Sequence, residues 1–307
     1  MPDRRALLAI VGPTASGKTK AALAVAEALG GEIVSVDSML VYRGMDIGTA
    51  KPTPSELART PHHLIDVAEP SEPFSVARFQ GLARAALEDI RARDAPALLA
   101  GGSGLYFRAI VDDLEFPGTN AQTRREIEEL AAALGAEGLH ARLAELDPAA
   151  AERIEPENVR RTVRALEVEA VTGRPFSAFA EAWERYDPER VWAAGVDVPR
   201  DVLGRRIEGR VATMLERGFL DEVRGLMARG LGGWLTASQA IGYAEMARHL
   251  GGELSLDEAV AGTVRRTREL ARRQMVWFRR DPRIEWFEAG EDGAGAIVDE
   301  LVGYLRE

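Results

Sequence analysis

Residues 12–19 read Gly12-Pro13-Thr14-Ala15-Ser16-Gly17-Lys18-Thr19, a full match to the pattern G-x-x-x-x-G-K-[ST]. Such a loop works in one setting, between a strand that aims it and a helix that starts at its lysine. That setting is present here. Leu7–Val11 is a short apolar run, and Lys18–Leu29 is an Ala/Leu-rich helical stretch closed by Gly30 and Gly31. Glycines let backbone N–H groups turn inward as an anion nest, and the helix start adds its positive end. Lys18 then reaches an outer phosphate, and Thr19 offers its hydroxyl to phosphate or to a metal ion, directly or through water.

The loop constrains the elements after it. A second apolar run, 32–36, ends at Asp37-Ser38 and completes a βαβ unit, the start of a parallel sheet. Further strands are expected at 63–67 and 97–100, with a helix at 75–93 between them, and the last strand runs into Gly101-Gly102-Ser103-Gly104. The expected fold class is α/β, a three-layer P-loop core around a parallel sheet. From about Pro117 the character changes. Stretches 124–134, 139–146 and 158–171 read as helices with no strand between them, Asn158 is a suitable N-cap, and Gly173 followed by Pro175 is a clean stop. A strand-like run returns at 191–198, followed by helical segments over 201–229. The economical division is 1–117 as the first part of the core, 118–190 as an all-helical insertion domain, and 191–307 as the rest of the core with C-terminal basic helices.

Composition excludes several chemistries. The 307 residues include no cysteine, which removes disulfides, thiolate zinc sites and cysteine nucleophiles. No apolar run approaches the roughly 20 residues of a membrane helix, and residues 1–8 lead straight into a strand, so a cytoplasmic protein is expected. A net charge of -10 argues against indiscriminate polyanion binding, so the placement of positive charge matters more than its sum. Of the 39 basic residues only Lys18, Lys20 and Lys51 are lysines, which suggests that a compact point charge is needed where they stand.

A phosphate loop usually serves nucleotide hydrolysis, which also wants an apolar strand ending in Asp to hold Mg²⁺. Strand 97–100 ends in glycines instead, and the acid closes the second strand as Asp37. A carboxylate at that position lies at the usual ligand crevice of a parallel sheet, the alternative being a cap of the next turn with Ser38.

The loop, Ser35-Val36-Asp37-Ser38, the block Tyr42-Arg43-Gly44-Met45-Asp46-Ile47-Gly48-Thr49-Ala50-Lys51-Pro52, Pro61-His62-His63-Leu64-Ile65-Asp66 and Gly101-Gly102-Ser103-Gly104-Leu105-Tyr106 together resemble the tRNA dimethylallyltransferase family. The likeness continues through Arg164-Ala165-Leu166-Glu167-Val168 and Gln239-Ala240-Ile241-Gly242-Tyr243, so it spans nearly the whole chain. Ser103 stands where the family commonly has Thr, and the type is bacterial, without the zinc finger of eukaryotic members.

The resemblance implies a dimethylallyl diphosphate donor, Mg²⁺, and as acceptor the adenosine just 3′ of the anticodon in a tRNA anticodon stem-loop. It further implies that Arg206 contacts the diphosphate, and that Asp37, Ser38, Met39, Leu40, Ser103, Gln239, Gly242 and Tyr243 meet the tRNA. Without it, Arg206 reads as a solvated helix charge. The chemistry agrees with the loop, because breaking a C–O bond makes diphosphate a leaving group whose growing charge is met by backbone N–H groups, Lys18 and Thr19. The acceptor amine is a poor nucleophile, and Asp37 is the base that can take its proton. Asp37, Thr19 and Arg206 are therefore the expected catalytic residues.

An adenine stacked in an RNA loop must be extruded to react, which needs surface to hold the RNA. Projected at the helical period, residues 264–280 put Arg265, Arg266, Arg268, Arg272, Arg273, Arg279 and Arg280 on one side, interrupted only by Glu269. Val264, Leu270, Ala271, Trp277 and Phe278 fall on the other. Arg272 and Arg273 are expected at phosphates, with Arg160, Arg161 and Arg164 as a smaller cluster on the insertion and Arg124 as a further contact. Competing readings are a small-molecule kinase, an NTP-driven switch, and prenylation of free adenine nucleotides. A monomer without membrane or stable protein partner is expected.

Overall fold

In a computed structural model the described residues are 7–112, 114–291 and 293–306. Six strands are present: β1 (Leu7–Val11), β2 (Glu32–Ser35), β3 (His62–His63), β4 (Ala97–Gly101), β5 (Val191–Asp197) and β6 (Ile284–Glu288). All pairings are parallel, and the sheet runs in the order β3-β2-β4-β1-β5-β6. In chain order the helices are α1 (Lys18–Leu29), α2 (Pro54–Leu57), α3 (Val76–Ala92), α4 (Gly104–Val111), α5 (Ala121–Leu146), α6 (Pro148–Arg153) and α7 (Val159–Thr172). After β5 come α8 (Arg200–Glu216), α9 (Phe219–Ala228), α10 (Tyr243–Leu250), α11 (Leu256–Phe278) and α12 (Val298–Arg306).

The expected three-layer α/β core is what the chain forms. Strand β1 lies in the middle of the sheet with its register set on both sides, Ile10 opposite Ala100 of β4 and Ala194 of β5. Because side chains alternate along a strand, Leu8, Ile10, Leu98, Ala194 and Val196 share one face. Helices α1, α8 and α12 cover it with Ala22, Val25, Ile207 and Leu301. Helix α3 packs on β2 and β4, while α4 packs on α3 and α11. This second layer is aromatic: Phe79 stacks on Tyr106 at 4.0 Å between centroids, and Phe107 meets Phe278 edge-on at 6.0 Å. Each fully buried Phe contributes roughly 2–3 kcal/mol relative to exposure.

Two elements differ from the sequence reading. The strand expected at 63–67 stops after His63, because Leu64 and Asp66 take φ of 65° and 55°, which no extended strand accommodates. Strand β6 was not expected; its Ile284-Glu285-Trp286-Phe287-Glu288 alternates weakly and pairs with β5 alone.

The chain divides into two compact units, one made of residues up to Val111 and from Asp187 onward, the other running from Asp112 to Tyr186. The second unit is all-helical, and its limits precede those read from the sequence by a few residues at each end. Its core is Leu139, Leu143, Ala150, Ile154, Val163 and Leu166. Asn158 caps α7 by accepting the Arg161 N–H, and Gly173 ends it in the left-handed region. Gly135, at φ 70°, breaks α5 between the two helices expected there.

Candidate active site

The phosphate loop takes its shape from two left-handed residues, Ala15 at φ 65° and Gly17 at φ 89°, which turn successive N–H groups the same way. Gly17 is the N-cap residue of α1 and supplies no side-chain cap, so the helix start is left for an anion. Lys18 Nζ donates to the Pro13 carbonyl at 3.1 Å. The Thr14 N–H donates at 2.8 Å to Oε1 of Gln274, a residue of α11, which ties the loop to the far end of the chain. Ser16 Oγ is buried in the loop without a hydrogen-bond partner among the described residues, and so is Ser35 Oγ at the end of β2.

Asp37 follows β2. One carboxylate oxygen, Oδ1, accepts the Met39 N–H at 2.8 Å. Asp37 thus caps its turn and also lines the cavity, so the two readings of this residue hold together. The glycines that end β4 are explained by close approach: a Cβ on Gly101 would stand 2.4 Å from the Val36 carbonyl oxygen. That carbonyl accepts the Ser103 N–H at 3.1 Å, which seats Ser103 beside Asp37.

These elements enclose a cavity of about 320 Å³, within the range of small-molecule sites. Thr14, Lys18, Asp37, Ser38, Met39, Ser103, Gln239, Arg273 and Gln274 are among the residues that line it. A smaller chamber of about 70 Å³ shares Thr14, Lys18, Asp37 and Arg210 and adds Thr19, Ser35, Leu40 and Ile65. Burial pushes the Lys18 ammonium down to about 8; Asp37 opposes that shift and Arg210 adds to it. Arg210 is likewise lowered, chiefly by burial, with Asp37 opposing. Asp37 therefore shares the cavity with two cations, Lys18 and Arg210, whose charge burial disfavours and the carboxylate favours.

Several expected site residues lie elsewhere. Arg206 does not line the cavity: its Nη2 donates to the carbonyls of Gly290 and Glu291 at 3.2 and 2.8 Å. The arginine beside the loop is Arg210, one helical turn on, whose Nη1 and Nη2 donate to Thr14 Oγ1 and the Thr49 carbonyl at 3.4 and 3.3 Å. A signal existed, since Arg210 borders the buried stripe Leu203, Ile207, Val211, Met214 of α8. Tyr243 is fully buried, so its side chain offers RNA no surface, and Gly242 is a helix N-cap whose N–H donates to Glu245. Arg124 and Arg164 are committed within the insertion, where both pair with the buried carboxylate of Glu167. Arg160 and Arg161 are exposed and make no ion pair among the described residues.

The arginine face of α11 splits in two. Arg266, Arg268 and Arg279 pair with Glu245, Glu208 and Asp197. Arg265, Arg272, Arg273 and Arg280 are exposed and have no acidic partner among the described residues. Trp277, expected on the core side, is 41% exposed. Gln274 carries no charge, so a projection of the helix by charge leaves it unmarked although its amide meets the loop.

An inward-turned loop after a central parallel strand, with an acid closing the neighbouring crevice, defines a P-loop α/β protein that grips a phosphate compound. The family model for IPP transferase matches residues 40–281. The chain is 50% identical to a tRNA dimethylallyltransferase of Nocardioides sp. over 99% of its own length and 97% of that protein. It is 51% identical to the tRNA dimethylallyltransferase of Kineococcus radiotolerans, covering 95% and 93%. Among solved structures, the tRNA isopentenylpyrophosphate transferase of Bacillus halodurans superposes with a TM-score of 0.69 at 40% identity, over 98% of this chain and 97% of that one. A eukaryotic dimethylallyltransferase acting on tRNA shares the fold at a TM-score of 0.79 and 24% identity, over 94% and 74%. The chain belongs to the IPP transferase family.

Proposed function

We propose that this protein transfers a dimethylallyl group from dimethylallyl diphosphate to N6 of the adenosine 3′-adjacent to the anticodon in tRNA, releasing diphosphate. One observation carries the reading beyond family membership: the phosphate loop and Asp37 face one cavity with no second carboxylate between them. The C1–O bond of the donor breaks as the N6–C1 bond forms. Electrons of the broken bond leave on diphosphate, toward the loop N–H groups, Lys18 and Arg210, where charge is met as it develops. The N6 proton passes to the Asp37 oxygen that does not hold Met39. Uncommitted Arg272 and Arg273 favour RNA phosphates near the cavity, since Arg273 lines it.

Magnesium fits the donor set. No group of three or more His, Cys, Asp or Glu among the described residues could hold a metal ion. Thr19 lines the small chamber and would hold a hard cation there, which would take its remaining oxygens from diphosphate and water. Bound Mg²⁺ would neutralise charge on the leaving diphosphate. No helix of the described residues is long and apolar enough to cross a membrane. The reading has the protein working as a monomer in the cytoplasm.

Diphosphate release from dimethylallyl diphosphate is expected only when tRNA and Mg²⁺ are both supplied. Steady phosphate release from ATP without a tRNA effect would favour a kinase, and equal prenylation of free adenosine monophosphate would remove tRNA as the acceptor. A second expectation concerns the arginine face: Arg272→Ala with Arg273→Ala weakens tRNA binding and lowers the slope of log K against log salt by about 1–2, with donor affinity retained. Binding titrations at several salt concentrations read this directly, and an unchanged slope returns that face to solvent.

A further inference from the structure

Outside the phosphate loop, four hydrogen bonds converge on the carboxylate of Glu222. Glu222, on α9, accepts three successive backbone N–H groups: Asp46 and Ile47 on Oε2 at 2.8 and 2.7 Å, and Gly48 on Oε1 at 3.1 Å. Oε1 also accepts the Tyr243 hydroxyl at 2.7 Å. The roughly four acceptor sites of a carboxylate are then all in use. Tyr243 is fully buried and meets Phe219 edge-on, with ring centroids 5.0 Å apart. Gly48 is pressed onto both rings: a Cβ there would lie 2.3 Å from Phe219 and 2.6 Å from Tyr243. Lys51 closes the other side of this turn, donating to Asp46, Asp66 and the Tyr42 carbonyl at 2.5, 2.6 and 2.9 Å.

The turn so fixed presents two residues to the cavity, Gly48 and Thr49. The Arg210 guanidinium has two acceptors among the described residues, the Thr49 carbonyl and Thr14 of the phosphate loop. Burial disfavours the Arg210 charge, so the side chain stays only where acceptors hold it. Neither Glu222 nor Tyr243 lines the cavity.

We propose that Glu222, oriented by Tyr243, is a positioning residue that fixes the 46–49 turn, so that the Thr49 carbonyl holds Arg210 over the phosphate side of the cavity. The duty of Arg210 toward a diphosphate rests on the prenyl-transfer reading. A carboxylate serves better than a neutral amide here, because every partner is a donor: Glu222→Gln would turn an NH₂ group toward an N–H.

The test is a double-mutant cycle read by calorimetric binding of inorganic diphosphate to the full chain, with Mg²⁺ and without tRNA or prenyl donor. Glu222→Gln is expected to weaken diphosphate about tenfold, and Arg210→Ala more. The double variant should bind as weakly as Arg210→Ala alone, within about twofold, because Glu222 acts through that arginine. Losses that add, or unchanged affinity in Glu222→Gln, overturn the proposal. A residue that only glued α9 to the turn would lower Tm and leave the affinity alone. Should Glu222→Gln fail to fold, Tyr243→Phe, which removes one hydroxyl, enters the same cycle with a smaller loss expected. The transfer reading fails separately, if the wild-type protein binds diphosphate yet does not prenylate tRNA.

Discussion

Asp37→Asn is expected to slow a single turnover of tRNA prenylation by about 10²-fold or more, while donor affinity changes little. The substitution is informative because of how Asp37 is held. Its Oδ1 accepts the Met39 N–H, and an Asn oxygen can do the same, so the turn after β2 keeps its shape. What is lost is basicity at the other atom, the proton acceptor of the proposed mechanism. Losing the negative charge also removes the group that raises Lys18, so Lys18 titrates lower still in this variant. Donor affinity is therefore compared at pH 7, below that titration in the wild type. Asp37→Ala should show the same turnover defect. Near wild-type single-turnover rates in Asp37→Asn would mean that the proton leaves through water or a diphosphate oxygen, with Asp37 only orienting the amine.

Lys18→Ala is expected to lower kcat/KM for the donor by about 10²–10³-fold, the scale of removing one preorganised donor from a developing oxyanion. Its pH signature is more specific than its size. The cation is the form that binds diphosphate, and burial pushes free Lys18 down to about 8. Below that pH the ammonium is already present and affinity is flat. Above it the free protein has lost the proton and must regain it on binding, so affinity falls by up to about tenfold per pH unit until the bound-state value is reached. The terminal phosphate loses its last proton near pH 6, so a slope between pH 8 and 9.5 belongs to the protein. Lys18→Ala has no such slope. Lys18→Arg should not restore activity, since a planar guanidinium cannot occupy the place of an ammonium bonded to the Pro13 carbonyl. Flat wild-type affinity across that range would remove Lys18 from the binding step. Thr19→Ala, which faces the small chamber, should weaken donor binding and turnover together.

The parts legible from sequence were those whose chemistry is local. The phosphate loop needs eight consecutive residues, and Asp37 follows from a strand end, so both could be found in order along the chain and both reach the cavity. What depended on a partner far away could not. Arg206 and Arg210 lie on one helix and look alike; only the loop residues Thr14 and Thr49 distinguish them. Arg124 and Arg164 suggested an RNA surface because nothing local in the sequence shows that both meet the fully buried carboxylate of Glu167. Tyr243 carried a strong motif signal, but its hydroxyl serves Glu222 from inside the core. In the fold, β3 was overextended because an apolar run cannot reveal left-handed φ at Leu64 and Asp66. β6 was missed because a half-exposed edge strand has too few buried positions to set a period.

The place of β1 in the sheet also bears on how the chain is made. Its two neighbours are β4, which ends at Gly101, and β5, which does not begin until Val191. A growing polypeptide therefore exposes one edge of its phosphate-loop strand while roughly 90 further residues are added, which at 5–20 residues per second takes about 5–18 s. The loop itself stays unfinished longer, because Gln274, which takes the Thr14 N–H, comes near the C-terminus. During vectorial synthesis the nest exists before anything can close over it, and a ribosome-bound fragment ending near residue 190 would hold the motif without a working cavity. Interrupting a core between adjacent strands thus ties completion of the candidate pocket to synthesis of the segments that follow the insertion.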